Sequence, residues 1–279
     1  MILSFGPDRG GLGPMALALG LPSALALVFY AVAALRSERF SAGLRAALVA
    51  GWLAHGVSIV VDIAGIGTGL PGARFGFAPA LSITLWLVLA VYELEARVVP
   101  MPGARRALAA SGIVVVVLAW LYPGQVVAHA ASIWAPLHWL LGIASYGLFG
   151  VAVLHALLLN RAEAQMRRTG AAAPHPAGGL PLLRLERLTF RFVAAGFVAL
   201  TAAIVLGAWF ADPWRWDHKA VFSVLGWLVF AGLLAGRRAF GWRGPTATRV
   251  VHAGAALLLL AYVGSRFVLE VVLHRSPSA

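Results

Sequence analysis

The sequence predicts an all-α fold, a polytopic integral membrane bundle of about eight helices with both termini on the non-cytoplasmic side. Three observations predict it. The chain is 61% hydrophobic and only 11% charged, whereas soluble domains carry about 25% charged residues. Its apolar residues gather into runs of about twenty, the length needed to cross the hydrocarbon core of a bilayer. Its basic residues concentrate in alternate loops between those runs, as they do in the cytoplasmic loops of membrane proteins.

The runs are 14–35, 44–64, 76–93, 106–122, 134–160, 187–210, 219–236 and 248–272. No basic stretch precedes the first, so it reads as a span and not as a cleavable leader. The third, fourth and seventh are short. The fifth is long and is expected to extend beyond the bilayer on the cytoplasmic side. Pro22, Pro79 and Pro136 stand near span starts or inside spans, where proline kinks a helix. Abundant Gly and Ala let helices approach closely. Loops 36–45, 94–106, 161–191 and 237–249 hold every basic residue except Arg9, Arg74, Arg215, Lys219, Arg266 and Arg275. That alternation requires an even number of spans and puts both termini outside. The longest basic loop contains GAAAPHPAGG (170–179), a flexible linker by composition. Residues 1–279 read as a single membrane domain, with no soluble domain and no strong internal repeat.

The net charge of +12 is accounted for by these loops and calls for no nucleic acid. The chain has no Cys, which excludes disulfides, thiol chemistry, Cys-ligated clusters and covalent haem attachment through its own residues. No HExxH, GxSxG, P-loop or dinucleotide fingerprint is present. Asp62, Asp212 and Asp217 are external carboxylates without a hydrolytic base beside them. Nothing reads as an enzyme.

One segment departs from the apolar background. Residues 209–222, WFADPWRWDHKAVF, hold three tryptophans, two aspartates, Arg, Lys and His between spans six and seven. Trp134 and Trp139 head span five at the same external level. A lone Trp at that depth belongs to the interfacial aromatic belt. Trp209, Trp214 and Trp216, clustered around Pro213, read instead as a platform for a flat, apolar, partly charged ligand.

Three of the eight histidines stand out. His55 lies mid-span, where an ionisable residue is costly and marks a functional candidate; the plain alternative is a hydrogen bond between helices. His138 lies about one turn into span five, and His218 opens span seven. Of the others, His155 and His252 fall near cytoplasmic ends, where helix termini and headgroups can satisfy them, and His175, His129 and His274 lie in loops or near the end of the chain. Two neutral imidazoles at one depth can ligate a metal. Zinc usually takes three or four protein ligands, whereas haem iron takes one or two axial ligands. A macrocycle wants apolar and aromatic walls, and its propionates want cations, for which Arg215, Lys219 and Arg266 are on the correct side. Arg266 also stands four residues before Glu270, and an internal ion pair between them is the competing expectation.

These residues carry a family resemblance. FADPWRWDHKA (210–220), followed by Trp227, resembles the external WGxxWxWDPKE segment of the cytochrome c assembly membrane proteins of the CcsA/CcmC superfamily. Trp214, Trp216, Asp217, Lys219 and Trp227 match; Phe210, His218 and Ala220 stand for Trp, Pro and Glu. PLHWLLGIASYGLF (136–149) resembles that family's helix with a haem-ligating His followed by Ser-Tyr, which maps onto His138, Ser145 and Tyr146. The closest likeness is to the YpjD/HemX-like branch. It rests on His55, PALS then Trp at 79–86, LERLTFRFVAAGFVALT at 185–201, HKAVFSVLGWLVFAGLL at 218–234 and GSRFVLEVVL at 264–273. The chain departs from the assembly members at Ala235, where they carry a second His, and at Leu273, His274 and Arg275, where they end in His-Ser-Tyr.

The resemblance implies a bacterial inner-membrane protein that presents haem non-covalently at its external face. Trp214 and Trp216 would form the floor. His138 would be one axial ligand and His218, or His274, the other. Asp217 would cap span seven, Arg266 would meet a propionate, and His55 would mark a route or second site in the bundle. Partners would be other membrane cytochrome c assembly proteins and an apocytochrome c. Two alternatives stand beside it: a regulatory or scaffold protein of the HemX-like type that affects haem biosynthesis without transferring haem, and a small-molecule transporter using His55 and Asp62.

Overall fold

A computed structural model describes residues 14–35, 41–66, 73–97, 102–127, 134–169, 182–210 and 216–273. They form eight principal helices: α1 (Pro14–Ala33), α2 (Ser41–Ile63), α3 (Phe77–Ala96), α4 (Pro102–Leu121), α5 (Ala135–Thr169), α6 (Leu182–Phe210), α7 (His218–Phe240) and α8 (Gly244–Leu259), which runs on through further helical turns to Val272. Seven of them are long and apolar enough to cross a membrane, and α1 adds the shorter apolar stretch Gly20–Ala33. The chain is therefore an integral membrane protein. The eight runs read from the sequence correspond one to one with these helices. The long fifth run is a single continuous helix of 35 residues. Pro79 and Pro136 fall in the first turns of α3 and α5, where a missing N–H costs nothing. Only Pro22 lies inside a helix proper.

Two elements had no signal in the apolar pattern. Strand β1 (Ala73–Phe75) precedes α3 and pairs antiparallel with β2 (Gln125–Val127) after α4, with Arg74 opposite Val126. Arg74 fixes this small ribbon: its Nε donates to the Gly124 carbonyl at 2.8 Å, and its guanidinium pairs with Asp62 at 3.4 Å. Asp62 is thus spent on holding the ribbon to the end of α2.

The helices pack as two halves. Tyr30, Leu48, Leu89, Leu108 and Val116 centre one core, among α1 to α4. Phe149, Phe190, Phe230, Leu233 and Leu258 centre the other, among α5 to α8. In the first, the Tyr30 ring lies between Gly51 and Gly112; a Cβ on either would come within 2.8 Å of it, so the two glycines make the space for an aromatic at that crossing. Trp52 and Trp86 clasp α2 to α3. Each indole N–H donates to the other's backbone carbonyl, at 3.0 and 2.9 Å, and the rings stack at 4.8 Å. In the second core, Phe149 and Phe230 stack at 3.9 Å. The turn from α7 to α8 uses Gly241 at φ 65°, the left-handed position that glycine takes without strain.

The halves meet at both ends. At the Arg-rich end, His155 on α5 is fully buried. Its Nδ1–H donates to the Val151 carbonyl at 2.9 Å, and its Nε2 is 2.8 Å from Glu95 Oε2 on α3. Headgroups do not satisfy it, contrary to the sequence expectation. His252 is bonded within its own helix, to the Thr248 carbonyl. At the Arg-poor end the junction is aromatic and leads to the candidate site.

Candidate functional site at the Arg-poor end

Helix α5 opens with Ala135 and Pro136, and the His138 N–H closes its first turn on the Trp134 carbonyl at 3.0 Å. The half-buried His138 ring turns toward α6, where its Nδ1 lies 2.9 Å from the Ala203 carbonyl oxygen. A carbonyl only accepts, so Nδ1 carries the proton and the neutral ring keeps its lone pair on Nε2. Metal-binding histidines are oriented by this kind of bond. Gly207, one turn further along α6, makes room for the ring: a Cβ there would lie 2.8 Å from His138 Cε1 and 3.2 Å from Nδ1.

Two cations stand nearby. Lys219 Nζ lies 5.6 Å and the Arg266 guanidinium 5.8 Å from the centre of the Tyr262 ring, within cation–π range. The Lys219 charge also reaches His138, Asp217 and Arg266. Tyr262 meets Phe75 of β1 edge-on at 5.8 Å, and Phe75 stacks on Trp139 of α5 at 6.4 Å. An aromatic row thus runs from α5 through the ribbon to the end of α8, beside the cations. Arg266 Nη1 is buried and has no hydrogen-bond partner.

The expected Arg266–Glu270 ion pair is not formed among the described residues. Past Leu259 the helix widens into π turns at Leu260–Gly264 and Val268–Val272, separated by Ser265–Phe267. Glu270 faces Gly76 instead, where an added Cβ would sit 3.2 Å from its carboxylate. The widened turns have side-chain partners. Ser265 Oγ donates to the Leu260 carbonyl at 3.1 Å, and the Tyr146 hydroxyl donates to the Leu258 carbonyl.

His218 is the first residue of α7 and is exposed. Before it, Asp217 Oδ1 accepts from the Ala220 N–H at 2.7 Å, the N-cap that the sequence suggests. Trp216 is 68% exposed and Trp209 82% exposed, so both rings project outward at this end. Trp214, Arg215 and His274 lie outside the described residues. Trp227 is away from the turn: its indole N–H donates to Thr201 Oγ1 at 2.8 Å, tying α7 to α6. Ser145 is buried and donates to the Gly142 carbonyl.

His55 faces α1 and α3, whereas His138 faces α6. His55 is 1% exposed, with Nδ1 3.0 Å from the Tyr30 hydroxyl and Nε2 2.7 Å from Ser82 Oγ. Both ring nitrogens are engaged inside the first core. The structure thus brings His138, Lys219 and Arg266 to one end, close to capping Asp217, and leaves His55 apart. Sequence reasoning missed Ala203, which contributes only a carbonyl, and Gly207, which contributes only space. It also missed Phe75 and Tyr262, which look like ordinary apolar-run aromatics.

No three His, Asp or Glu residues converge on a common metal position among the described residues. A donor set of one oriented imidazole, two cations and an aromatic row suits a metal that brings its own equatorial ligands. The model of the cytochrome c assembly protein family matches residues 15–273. The chain belongs to this family. Among its relatives, the inner membrane protein YpjD of Escherichia coli is 31% identical over 159 residues, 56% of this chain and 60% of that protein. The cytochrome c biogenesis protein CcsA of a Synechococcus is 32% identical over 112 residues, 36% of this chain and 33% of the relative. CcsA of Prochlorococcus marinus is 33% identical over 96 residues, 33% of this chain and 30% of the relative. The match therefore spans 60% of YpjD and about a third of CcsA. No solved structure matches the chain.

Proposed function

We propose that this member of the cytochrome c assembly family binds haem non-covalently at the Arg-poor end of its bundle and presents it during cytochrome c assembly. The observation that carries the reading is the His138 Nδ1–H bond to the Ala203 carbonyl, which orients the ring and makes Nε2 its acceptor nitrogen. Haem would supply an iron with axial positions to fill and a tetrapyrrole carrying two carboxylates. The residues fit such a group. His138 would hold the iron through Nε2, and His218, the exposed first residue of α7, would be its second nitrogen donor. Lys219 and Arg266 offset the carboxylate charge, and the buried, unpartnered Arg266 Nη1 is a donor in want of an acceptor. Trp216, exposed beside the start of α7, and Trp214, which lies outside the described residues, are the aromatic faces this reading assigns to the macrocycle, and Asp217 caps α7. The role is binding and handover, with no bond made or broken in the tetrapyrrole. By the positive-inside rule the Arg-poor end would lie outside the inner membrane, where other assembly proteins and apocytochrome c would meet it.

Protein purified from haem-replete cells is expected to show a Soret band. The band should be lost in His138→Ala and kept in His55→Leu, whose ring is bonded within the other core. A colourless wild-type protein would refute the reading. That result would favour the second one, a scaffold or regulator without haem transfer, for which Ala220 and Ala235 speak by standing where the assembly members carry Glu and His.

A further inference from the structure

At the opposite end of the bundle, the first turns of α6 carry a feature that haem handling does not use. A shallow, open cleft is bordered by Leu183, Arg184, Arg187, Leu188 and Arg191, all of them on α6. The arginines stand at i, i+3 and i+7, so they share one helix face. All three are exposed, and none forms an ion pair among the described residues. The acid of this segment serves a different face: Glu186 pairs with Arg237 at 3.9 Å, and the Arg237 guanidinium lies 3.5 Å over the Phe190 ring.

Depth decides what the cleft meets. Helix α6 has 29 residues, and about twenty suffice to cross the hydrocarbon core. Trp209, 82% exposed at the far end, marks the interface in the manner of a belt tryptophan, and not the platform its sequence context suggests. Counting about twenty residues back from it reaches about position 190. On that count Arg184 and Arg187 would lie in the headgroup layer and Arg191 at its boundary with the acyl chains. Leu183, 72% exposed, and Leu188 flank them.

We propose that this cleft binds the phosphate of an anionic phospholipid, such as phosphatidylglycerol, with the leucines against its acyl chain. Guanidinium forks suit phosphate oxygens. Three of them without a protein acid, held at the depth of lipid phosphates, select a negative headgroup over a zwitterionic one. The site is separate from the haem-handling end and does not depend on it.

Native mass spectrometry of the full chain in neutral detergent, titrated with phosphatidylglycerol or phosphatidylcholine, tests this. Phosphatidylglycerol is expected to bind on the order of tenfold more tightly. The preference should disappear in the triple variant Arg184→Gln/Arg187→Gln/Arg191→Gln and persist in Arg238→Gln/Arg243→Gln/Arg249→Gln, which removes equal charge from the same end. If the first triple variant does not fold, Arg184→Gln and Arg187→Gln singly should each weaken the preference. Equal binding of the two lipids would overturn the proposal, as would equal loss in both triple variants. Displacement of the lipid by an equimolar amount of inorganic phosphate would do so too, assigning the cleft to a soluble anion.

Discussion

His138 shows how a single side chain is oriented by groups that carry no side-chain chemistry. Its proton is placed by the Ala203 carbonyl and its ring is admitted by Gly207. Replacing Gly207 by Ala would put a Cβ 2.8 Å from Cε1, closer than van der Waals contact allows. The imidazole must swing away and the Nδ1 bond must break. Loss of one such bond costs about 1 kcal/mol, so the apoprotein of Gly207→Ala should melt nearly as the wild type does. Its haem absorption should nonetheless weaken or shift. A spectrum matching the wild type would show that the orientation of His138 is immaterial. His55 makes the contrast: it reads as the most functional histidine because it is buried mid-span, yet that burial is what lets Tyr30 and Ser82 occupy both of its nitrogens.

Among the elements, α7 and α8 build the site by their ends. The first N–H groups of α7 need an acceptor, and Asp217 supplies one to Ala220 at 2.7 Å. Asp217→Ala should destabilise the protein by about 1 kcal/mol, and Asp217→Asn should restore most of it. Paired thermal melts in the same detergent would check this, and an alanine variant as stable as the wild type would remove the capping role. The end of α8 works by departing from regular helix. Its π turns aim Arg266 at Tyr262 and Glu270 at Gly76, and the Tyr146 hydroxyl meets the Leu258 carbonyl just before the first of them.

The whole bundle has one Arg-rich end and one Arg-poor end, and the proposed haem role requires the second to face outward. The absence of cysteine makes this measurable. In intact spheroplasts, Pro123→Cys at the Arg-poor end should react with a membrane-impermeant maleimide, and Arg238→Cys at the Arg-rich end should react only after permeabilisation. The reverse pattern would turn the site inward and defeat the assignment to cytochrome c assembly on the external face. The same polarity was legible in the sequence, because run length and loop charge are local quantities set by the bilayer and do not depend on which helices touch. The capping aspartate was legible for the same reason. The β1–β2 ribbon was not, since three-residue strands separated by α3 and α4 leave no periodic trace.

The sequence by itself determined the all-helical class, the eight apolar segments, their alternating charge and the residues that carry the family likeness, all of them properties of neighbours along the chain. Only the tertiary structure decided that His138 meets Ala203 across 65 positions, that Arg266 lies over Tyr262 without a salt bridge to Glu270, and that His55 is spent inside the first core. Those outcomes depend on which helices pack together and on where α8 changes its turn, and a backbone carbonyl or a missing Cβ acts at a distance without any signature in the residue that provides it.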